Sequence, residues 1–179
     1  PGWDEPAYKA NFTFRMLHRV NTTALANMPS AYERSVDKEQ VHQLLQTRSS
    51  GLSLHQYNLD EWLLTEFETT PKMATYLVAW ANGAFLHVSN TTISPLTGRV
   101  IPLRMYTTPD LIHQAAFSTE AMAKILPEYE KVFEIAYPLP KLDALVAADF
   151  DFGAMENWGL ITGRSSIFMH DESMGLRGM

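Results

Sequence analysis

Residues 137–164 read YPLPKLDALVAADFDFGAMENWGLITGR, and this stretch decides the expected fold. Residues 142–148 are mainly apolar and follow a pair of prolines, a pattern that predicts a buried strand. Residues 158–162 predict a second buried strand. The acidic segment between them is therefore expected to be a loop at a strand end, and such loops commonly carry binding groups.

A long amphipathic helix is predicted upstream of this stretch. Apolar residues recur at three- and four-residue intervals from Met122 to Ala136, and Ser118 is a suitable N-cap. Pro127 lies inside the pattern and predicts a kink or a division of the helix. The helix is expected to stop at Pro138, because the residue before a proline disfavours the helical region.

The first part of the chain is predicted to be mainly strand. The segments with strand character are 1–30, 62–67, 73–80 and 100–106. A short helix is predicted over residues 37–46, and residues 89–99 are predicted to be a loop because they contain Pro95 and Gly98. The fold class is therefore mixed α and β, with a β-rich domain over residues 1–97 and an α+β domain over residues 98–179.

Composition limits the class of protein. Hydrophobic residues make up 46% and charged residues 19% of the 179, which is a globular composition. The net charge is -6 and the basic residues are scattered, so neither nucleic acid nor an anionic membrane is an expected partner. No apolar stretch is long enough to span a membrane. The absence of cysteine excludes disulfides and thiolate metal sites.

A cytoplasmic location is the expectation from these features. The first ten residues, PGWDEPAYKA, are not a signal peptide, and they lack an initiator methionine, as a fragment or processed product would. Three Asn-x-Ser/Thr sequons occur, at Asn11, Asn21 and Asn90. Chance occurrence is the preferred explanation for them, although they leave a secretory location open.

Common catalytic and metal-binding motifs are absent from the sequence. None of the six histidines has HExxH spacing, so no metal ligand is assigned, and no G-x-S-x-G elbow or phosphate-binding glycine loop occurs. Asp149, Asp151 and Glu156 could together bind a divalent cation or a substrate cation, but from the pattern alone solvated turn residues are favoured. Asp149 and Asp151 also match the D-x-D of sugar transferases, which arises easily by chance.

Residues 153–157 read GAMEN, which resembles the exopeptidase signature of the zinc aminopeptidases of the aminopeptidase N and puromycin-sensitive aminopeptidase family. Other blocks resemble the same family in the same order. They are PGWDEPA at 1–7, NMP at 27–29, TPKMATYLVA at 70–79, YPLPKLD at 137–143 and DF at 149–150. Together they extend from residue 1 to about 170, and the ITGR that ends at Arg164 most resembles fungal cytosolic members.

The resemblance implies both a fold and a set of substrate-binding residues. The chain would be the end of an N-terminal β-sandwich-like domain joined to the start of a thermolysin-like catalytic domain. Glu156 would bind the free α-amino group of a peptide, and the backbone near Gly153 and Ala154 would pair with the peptide main chain. Met155 and Asn157 of the same motif are also expected to be substrate-binding residues. A fixed carboxylate suits an ammonium, and a strand edge recognises backbone without regard to side chain.

The same resemblance implies that zinc, its HExxH ligands and the catalytic tyrosine of the family belong to residues beyond Met179. We therefore expect a fragment of a zinc aminopeptidase, with no catalytic residue of its own, no activity in isolation and peptide N-termini as partners. Phe152 replaces a small residue of the family, Gly163 stands where many members have tyrosine, and Gly2 replaces cysteine.

The sequence also leaves an alternative function open and predicts self-association. The alternative function is a non-catalytic protein of the same fold that binds peptides, amines or sugars. Self-association is expected through exposed apolar surface, with residues 142–148 and the helix around residues 125–136 as the surfaces involved.

Overall fold

The computed structural model describes residues 4–46, 61–147 and 150–170. Its strands are β1 (Lys9–Ala10), β2 (Arg15–Arg19), β3 (Thr23–Ala26), β4 (Ser30–Val36), β5 (Trp62–Phe67), β6 (Met73–Ala74), β7 (Trp80–Gly83), β8 (Leu86–Ile93), β9 (Val100–Thr107), β10 (Leu142–Val146), β11 (Ala154–Met155) and β12 (Leu160–Gly163). The helices are α1 (Lys38–Gln46), α2 (Ala115–Phe133) and α3 (Ser165–Phe168), and single 3₁₀ turns cover Thr75–Leu77 and Ile112–Gln114. No helix of the described ranges is both long enough and apolar enough to cross a membrane.

Five strands form the larger sheet, in the spatial order β11-β12-β10-β9-β8. The three inner strands are parallel to one another, whereas the outer strands β8 and β11 are antiparallel to their neighbours. The chain crosses from β9 to β10 through α2, because parallel neighbours cannot be joined by a tight turn. The predicted mixed α and β fold is confirmed.

Both faces of the larger sheet are covered near its centre. On one face Met122, Ala123 and Leu126 of α2 pack against a cluster of Ile101, Leu103 and Leu142. On the other face Leu25 of β3 packs with Tyr106, Leu145 and Leu160. All of β10 is consequently buried, as expected for a central strand of a parallel sheet.

The β-rich half consists of three small antiparallel sheets. Their strand orders are β2-β5-β4, β3-β7 and β1-β6. Helix α1 is capped by Asp37, whose Oδ1 accepts a hydrogen bond from the backbone N–H of Gln40 at 2.8 Å. Val41 of this helix packs against Val36 and Leu64, so α1 covers one face of the three-stranded sheet.

The long helix differs from its prediction at both ends. It begins at Ala115 rather than Ser118, whose hydroxyl instead donates to the backbone oxygen of Phe168. Pro127 lies within it without dividing it. It ends at Phe133, five residues before Pro138, because Glu134 adopts the left-handed conformation with φ 54° and ψ 30°. Local backbone geometry at Glu134, and not the proline, therefore ends the helix.

Two other predictions, a single strand over residues 73–80 and a loop over residues 89–99, are wrong. Residues 73–80 are not one strand, because β6, a 3₁₀ turn and the start of β7 divide them. Residues 89–93 belong to β8 and not to a loop, since the turn containing Pro95 and Gly98 occupies only the end of the segment predicted as loop. The predicted domain boundary between residues 97 and 98 falls in that turn and stays a prediction.

Candidate functional site

The GAMEN segment forms the edge of the larger sheet. Ala154 and Met155 of β11 pair with Gly163 and Thr162 of β12, and no other strand of the described residues borders β11. An edge strand presents backbone N–H and C=O groups that can pair with an extended peptide. The structure therefore places the predicted recognition residues where backbone pairing with a ligand is available.

The edge strand lies unusually close to its neighbour at Gly163. A Cβ atom on that residue would lie 2.7 Å from the ring of Phe168 and 3.0 Å from the Cβ of Ala154. Any larger side chain at position 163 would push the edge strand or the phenylalanine away. Phe168 of α3 thus fills the space beside Gly163. At the position of Gly163, many members of the aminopeptidase family that the motifs resemble carry tyrosine.

Arg164 holds the segment that leads into β11. Its backbone N–H donates to the backbone oxygen of Gly153 at 2.9 Å. Its guanidinium donates to the backbone oxygens of Phe150 and Asp151, the latter at 3.1 Å. Arg164, which directly follows β12, therefore holds the start of the edge strand in place. Gly153 remains exposed to solvent.

Glu156 follows the edge strand directly, and its side chain is exposed. It lies at the rim of a cavity of about 310 Å³, whose other lining residues are mostly apolar. These include Met122, Ile125, Leu126, Tyr129, Leu142, Trp158 and Ile161. Its carboxylate forms neither a salt bridge nor a hydrogen bond with any of the described residues. A carboxylate in this position is available to a cation that arrives from solvent.

The side chain of Asn157 points into the protein instead. It is 6% exposed, and its Nδ2 donates to the backbone oxygen of Tyr76 at 3.3 Å. Its Oδ1 accepts from the hydroxyl of Thr162 at 3.3 Å, and its backbone oxygen accepts from the N–H of Leu160 at 3.1 Å. Asn157 therefore shapes the turn between β11 and β12, with its side-chain amide already engaged.

Two residues outside GAMEN hold the same turn, and the sequence predicted no role for either of them. The side-chain Nδ2 of Asn27 donates to the backbone oxygen of Trp158 at 2.7 Å. The ammonium of Lys141 donates to the backbone oxygens of Gly159 and Ala26, each at 2.7 Å. The signal for both was their presence in the NMP and YPLPKLD blocks, but sequence alone does not show what they contact.

Lys141 belongs to a charge cluster with the buried Asp143 and the half-buried Arg104. Its Nζ lies 2.9 Å from Oδ2 of Asp143, and both side chains are almost fully buried. Arg104 makes a bidentate contact with the same carboxylate, at 2.8 Å and 3.1 Å. Burial lowers the pKa of Lys141, and the charge of Asp143 opposes that shift. Burial, assisted by Asp143, raises the pKa of Tyr106 to about 12.

The described residues do not provide a zinc site. They contain no group of three or more His, Cys, Asp or Glu side chains placed to hold a metal ion. Of the two aspartates in the D-x-D sequence, Asp151 is exposed and Asp149 lies outside the described residues. The zinc that the resemblance implies therefore does not fit the part of the chain that the structure describes.

Comparison with known proteins adds to this geometry. Residues 1–77 match the family model described as the peptidase M1 N-terminal domain, and residues 117–177 match the peptidase family M1 domain. Aminopeptidase Ey of Gallus gallus is 37% identical over 97% of the chain, and endoplasmic reticulum aminopeptidase 2 of Bos taurus is 38% identical over 96%. Glutamyl aminopeptidase of Homo sapiens is 36% identical over 96%. The chain spans only 15% of the length of each of these relatives.

These relatives correct the predicted location and the finer resemblance. The prediction of a cytoplasmic location is wrong, because similar proteins include endoplasmic reticulum aminopeptidases of Bos taurus and Homo sapiens. The finer resemblance to fungal cytosolic members is not shown either, since the relatives named above come from Gallus gallus, Bos taurus and Homo sapiens. The short ITGR sequence was too weak a signal to identify a subgroup.

Proposed function

The chain belongs to peptidase family M1, and from this membership we propose that it supplies the strand with which a zinc-dependent aminopeptidase recognises the free N-terminus of a peptide. The two family models together match more than half of the residues, and the similar relatives are named as aminopeptidases. The family resemblance read from the motifs is thus confirmed at the level of M1. A place among aminopeptidase N-like members is part of the proposal and is supported by the GAMEN sequence.

The available carboxylate of Glu156 carries this proposal. An extended peptide that pairs with the outer edge of β11 would run alongside Gly153 and Ala154. Its terminal ammonium could then reach the carboxylate at the end of the strand, because Glu156 has no competing partner among the described residues. The mostly apolar cavity beside it strengthens a charge pair once a ligand displaces water, since attraction rises as the local dielectric falls.

The other predicted residues would act through the backbone or through the turn. Gly153 leaves room for a ligand backbone, because a Cβ built there meets only Ile167, at 3.7 Å. Met155 is half-buried in the strand and flanks the peptide path. Asn157 would contribute by holding the turn, since its amide is engaged inside the protein. The proposed substrate class is therefore peptides with a free N-terminus.

Peptidases of family M1 are zinc-dependent in general, but no bond-breaking step is assigned to residues of this chain. The described residues hold no metal-binding group, and HExxH does not occur in the 179 residues. What they can supply is orientation, which on its own accounts for a large part of many enzymatic rate enhancements. The chain's share of the reaction is thus proposed to be recognition and positioning.

The test replaces Glu156 in the full-length aminopeptidase that contains these residues. We expect Glu156→Gln to lower kcat/KM for free-amine peptides at least about 30-fold, because losing a desolvated charge partner costs roughly 2–5 kcal/mol. Hydrolysis of N-acetylated peptides and the zinc content should change little. Asp151→Asn is the matched control, since it neutralises an exposed carboxylate five positions away. Equal activity of wild type and Glu156→Gln on free-amine peptides would contradict the proposal.

A further inference from the structure

We propose that Asn27 and Lys141 are positioning residues, which set the place of Glu156 by clamping the turn after the recognition strand to the β-rich half of the molecule. The inference rests on the proposed function, since it concerns the side chain proposed to bind the amine. It adds two residues that lie outside the recognition strand and contact no substrate. It also gives the β-rich half a part in substrate recognition.

Asn27 uses its whole side-chain amide to join three backbone segments. Its Nδ2 donates to the backbone oxygens of Leu77, at 2.8 Å, and Trp158, at 2.7 Å. Its Oδ1 accepts from the N–H of Ala79 at 2.9 Å, and the residue is 4% exposed. A buried amide with both ends engaged fixes orientation, because each of these contacts has a narrow range of angles. Asn27 therefore ties the β3–β7 region to the residue two positions after Glu156.

Lys141 makes a second connection in the same place. Its ammonium has three N–H donors, and it lies within 2.9 Å of two backbone oxygens and one carboxylate oxygen. One of those oxygens belongs to Ala26 in β3 and another to Gly159 in the turn. Packing with apolar side chains could stabilise this interface equally well, since buried ion pairs are weak evidence of stability. Hydrogen bonds from one ammonium to two backbone oxygens are directional. They are therefore better suited than apolar packing to fixing the relative position of the two backbone segments.

Gly159 shows how closely the two segments approach. Its φ is 77°, and a Cβ built on it would lie 2.2 Å from the backbone oxygen of Asn27. The backbone of the turn therefore lies directly against the end of β3. Together with the hydrogen bonds from Asn27 and Lys141, this contact fixes residues 158–159, which lie on the C-terminal side of Glu156.

The position of Glu156 depends on its two flanks, because its own side chain has no partner among the described residues. On the N-terminal flank, Arg164 holds the backbone of Gly153. On the C-terminal flank, the clamp holds Trp158 and Gly159. Between them lie a strand of only two residues and Asn157, whose own hydrogen bonds remain, so loss of the clamp would loosen the end that carries the carboxylate without freeing it.

The first experiment measures the clamp without reference to activity. Hydrogen exchange of the 179-residue chain is compared among wild type, Asn27→Ala, Lys141→Met and the control Thr70→Val. Thr70 is buried in the β-rich half, and its hydroxyl accepts from the N–H of Phe12 at 3.0 Å rather than from a residue of the turn. We expect faster exchange at residues 154–160 in the two clamp variants and unchanged exchange there in the control. Unchanged exchange in Asn27→Ala would overturn the clamp, even where Lys141→Met fails to fold.

The second experiment asks whether the clamp acts through Glu156. In the full-length aminopeptidase, an amino acid amide and its des-amino analogue are compared as competitive inhibitors. We expect Asn27→Ala to reduce the preference for the amine about tenfold or more, because small misplacements of a binding group are costly. In a Glu156→Gln background the same substitution should have no further effect, which is the sign of coupled residues. Thr70→Val should leave the preference unchanged in both backgrounds.

The outcomes separate the two proposals. If Glu156→Gln leaves the preference for the amine intact, the proposed function and this inference both fail. If Glu156→Gln abolishes the preference while Asn27→Ala leaves it unchanged, the proposed function stands and the positioning role is overturned. An effect of Asn27→Ala that is equally large in both backgrounds would show a general structural role and would also overturn it.

Discussion

Replacing Gly159 with alanine is expected to be among the most destabilising single substitutions in this chain. Gly159 has φ 77°, and the added Cβ would lie 2.2 Å from the backbone oxygen of Asn27 and 3.0 Å from a methyl carbon of Leu139. The first contact involves backbone, which cannot move aside as a flexible side chain can. The turn and β3 would therefore have to separate by more than about 1 Å to reach an ordinary van der Waals distance.

The magnitude follows from the contacts that this separation breaks. A residue other than glycine in the left-handed region costs roughly 1–2 kcal/mol. Separation also lengthens the hydrogen bonds from Asn27 to Trp158 and from Lys141 to Gly159, both 2.7 Å. Each buried group left unsatisfied costs about 1–3 kcal/mol. The sum is on the order of 3–8 kcal/mol, a large part of the stability of a typical domain.

Gly98→Ala provides the control, because Gly98 has a similar φ of 72° but no atom within 4 Å of the added Cβ. It should cost only the backbone strain, about 1–2 kcal/mol. Both variants and wild type are unfolded in urea and followed by circular dichroism. The difference between the two alanine variants isolates the close approach to Asn27. If Gly159→Ala were no less stable than Gly98→Ala, the reasoning about this contact would be refuted.

Two further predictions concern alkaline pH and self-association. Tyr106 should contribute a loss of about 2 kcal/mol of stability between about pH 10 and pH 12, because its pKa is about 12 when folded and 10.0 when unfolded, so the unfolded phenol loses its proton first. Burial also raises the pKa of Tyr137, which adds to the loss of the whole protein. Urea titrations at pH 9 and pH 11.5 should therefore show a smaller loss for Tyr106→Phe than for wild type, and an equal loss would contradict the assignment to Tyr106. The chain should self-associate through the exposed apolar end of α2, where Val132 and Phe133 are 72% and 64% exposed. Light scattering should show less association for Val132→Glu than for wild type. A wild-type chain that stays monomeric at all concentrations would rule out this self-association.

Of the two surfaces predicted to mediate self-association, residues 142–148 and the helix around residues 125–136, only the helix is exposed in the part of the chain that the structure describes. Residues 142–146 form β10 and are buried between α2 and the β-rich half, so they cannot provide the expected contact. Their apolar character was read correctly, but the sequence did not show that other parts of the chain cover both faces. The exposed residues of α2 stay the predicted contact.

Local patterns predicted the strand and the helix beside the proposed site but not β11, which lies in the segment that the pattern predicted as a loop and which only the family resemblance indicated to be a strand. The apolar run from Leu142 and the spacing of apolar residues through α2 indicated a strand and a helix, because burial on one or both faces imposes its own period on the sequence. The match of residues 153–157 to the GAMEN motif pointed to the family, and the role proposed for Glu156 came from that resemblance. These features depend on residues that are neighbours in the chain.

Tertiary structure alone decided the features that depend on distant residues. Residues 73–80 read as one apolar strand, but Asn27, about fifty positions earlier, bonds to the backbone of Leu77 and Ala79 where the strand is interrupted. The role of Lys141 likewise appears only when Ala26 and Gly159 are brought within 2.7 Å of its ammonium. A sequence shows which groups can donate and accept hydrogen bonds, but the fold determines which of them meet, because partners far apart in the chain leave no local period to detect.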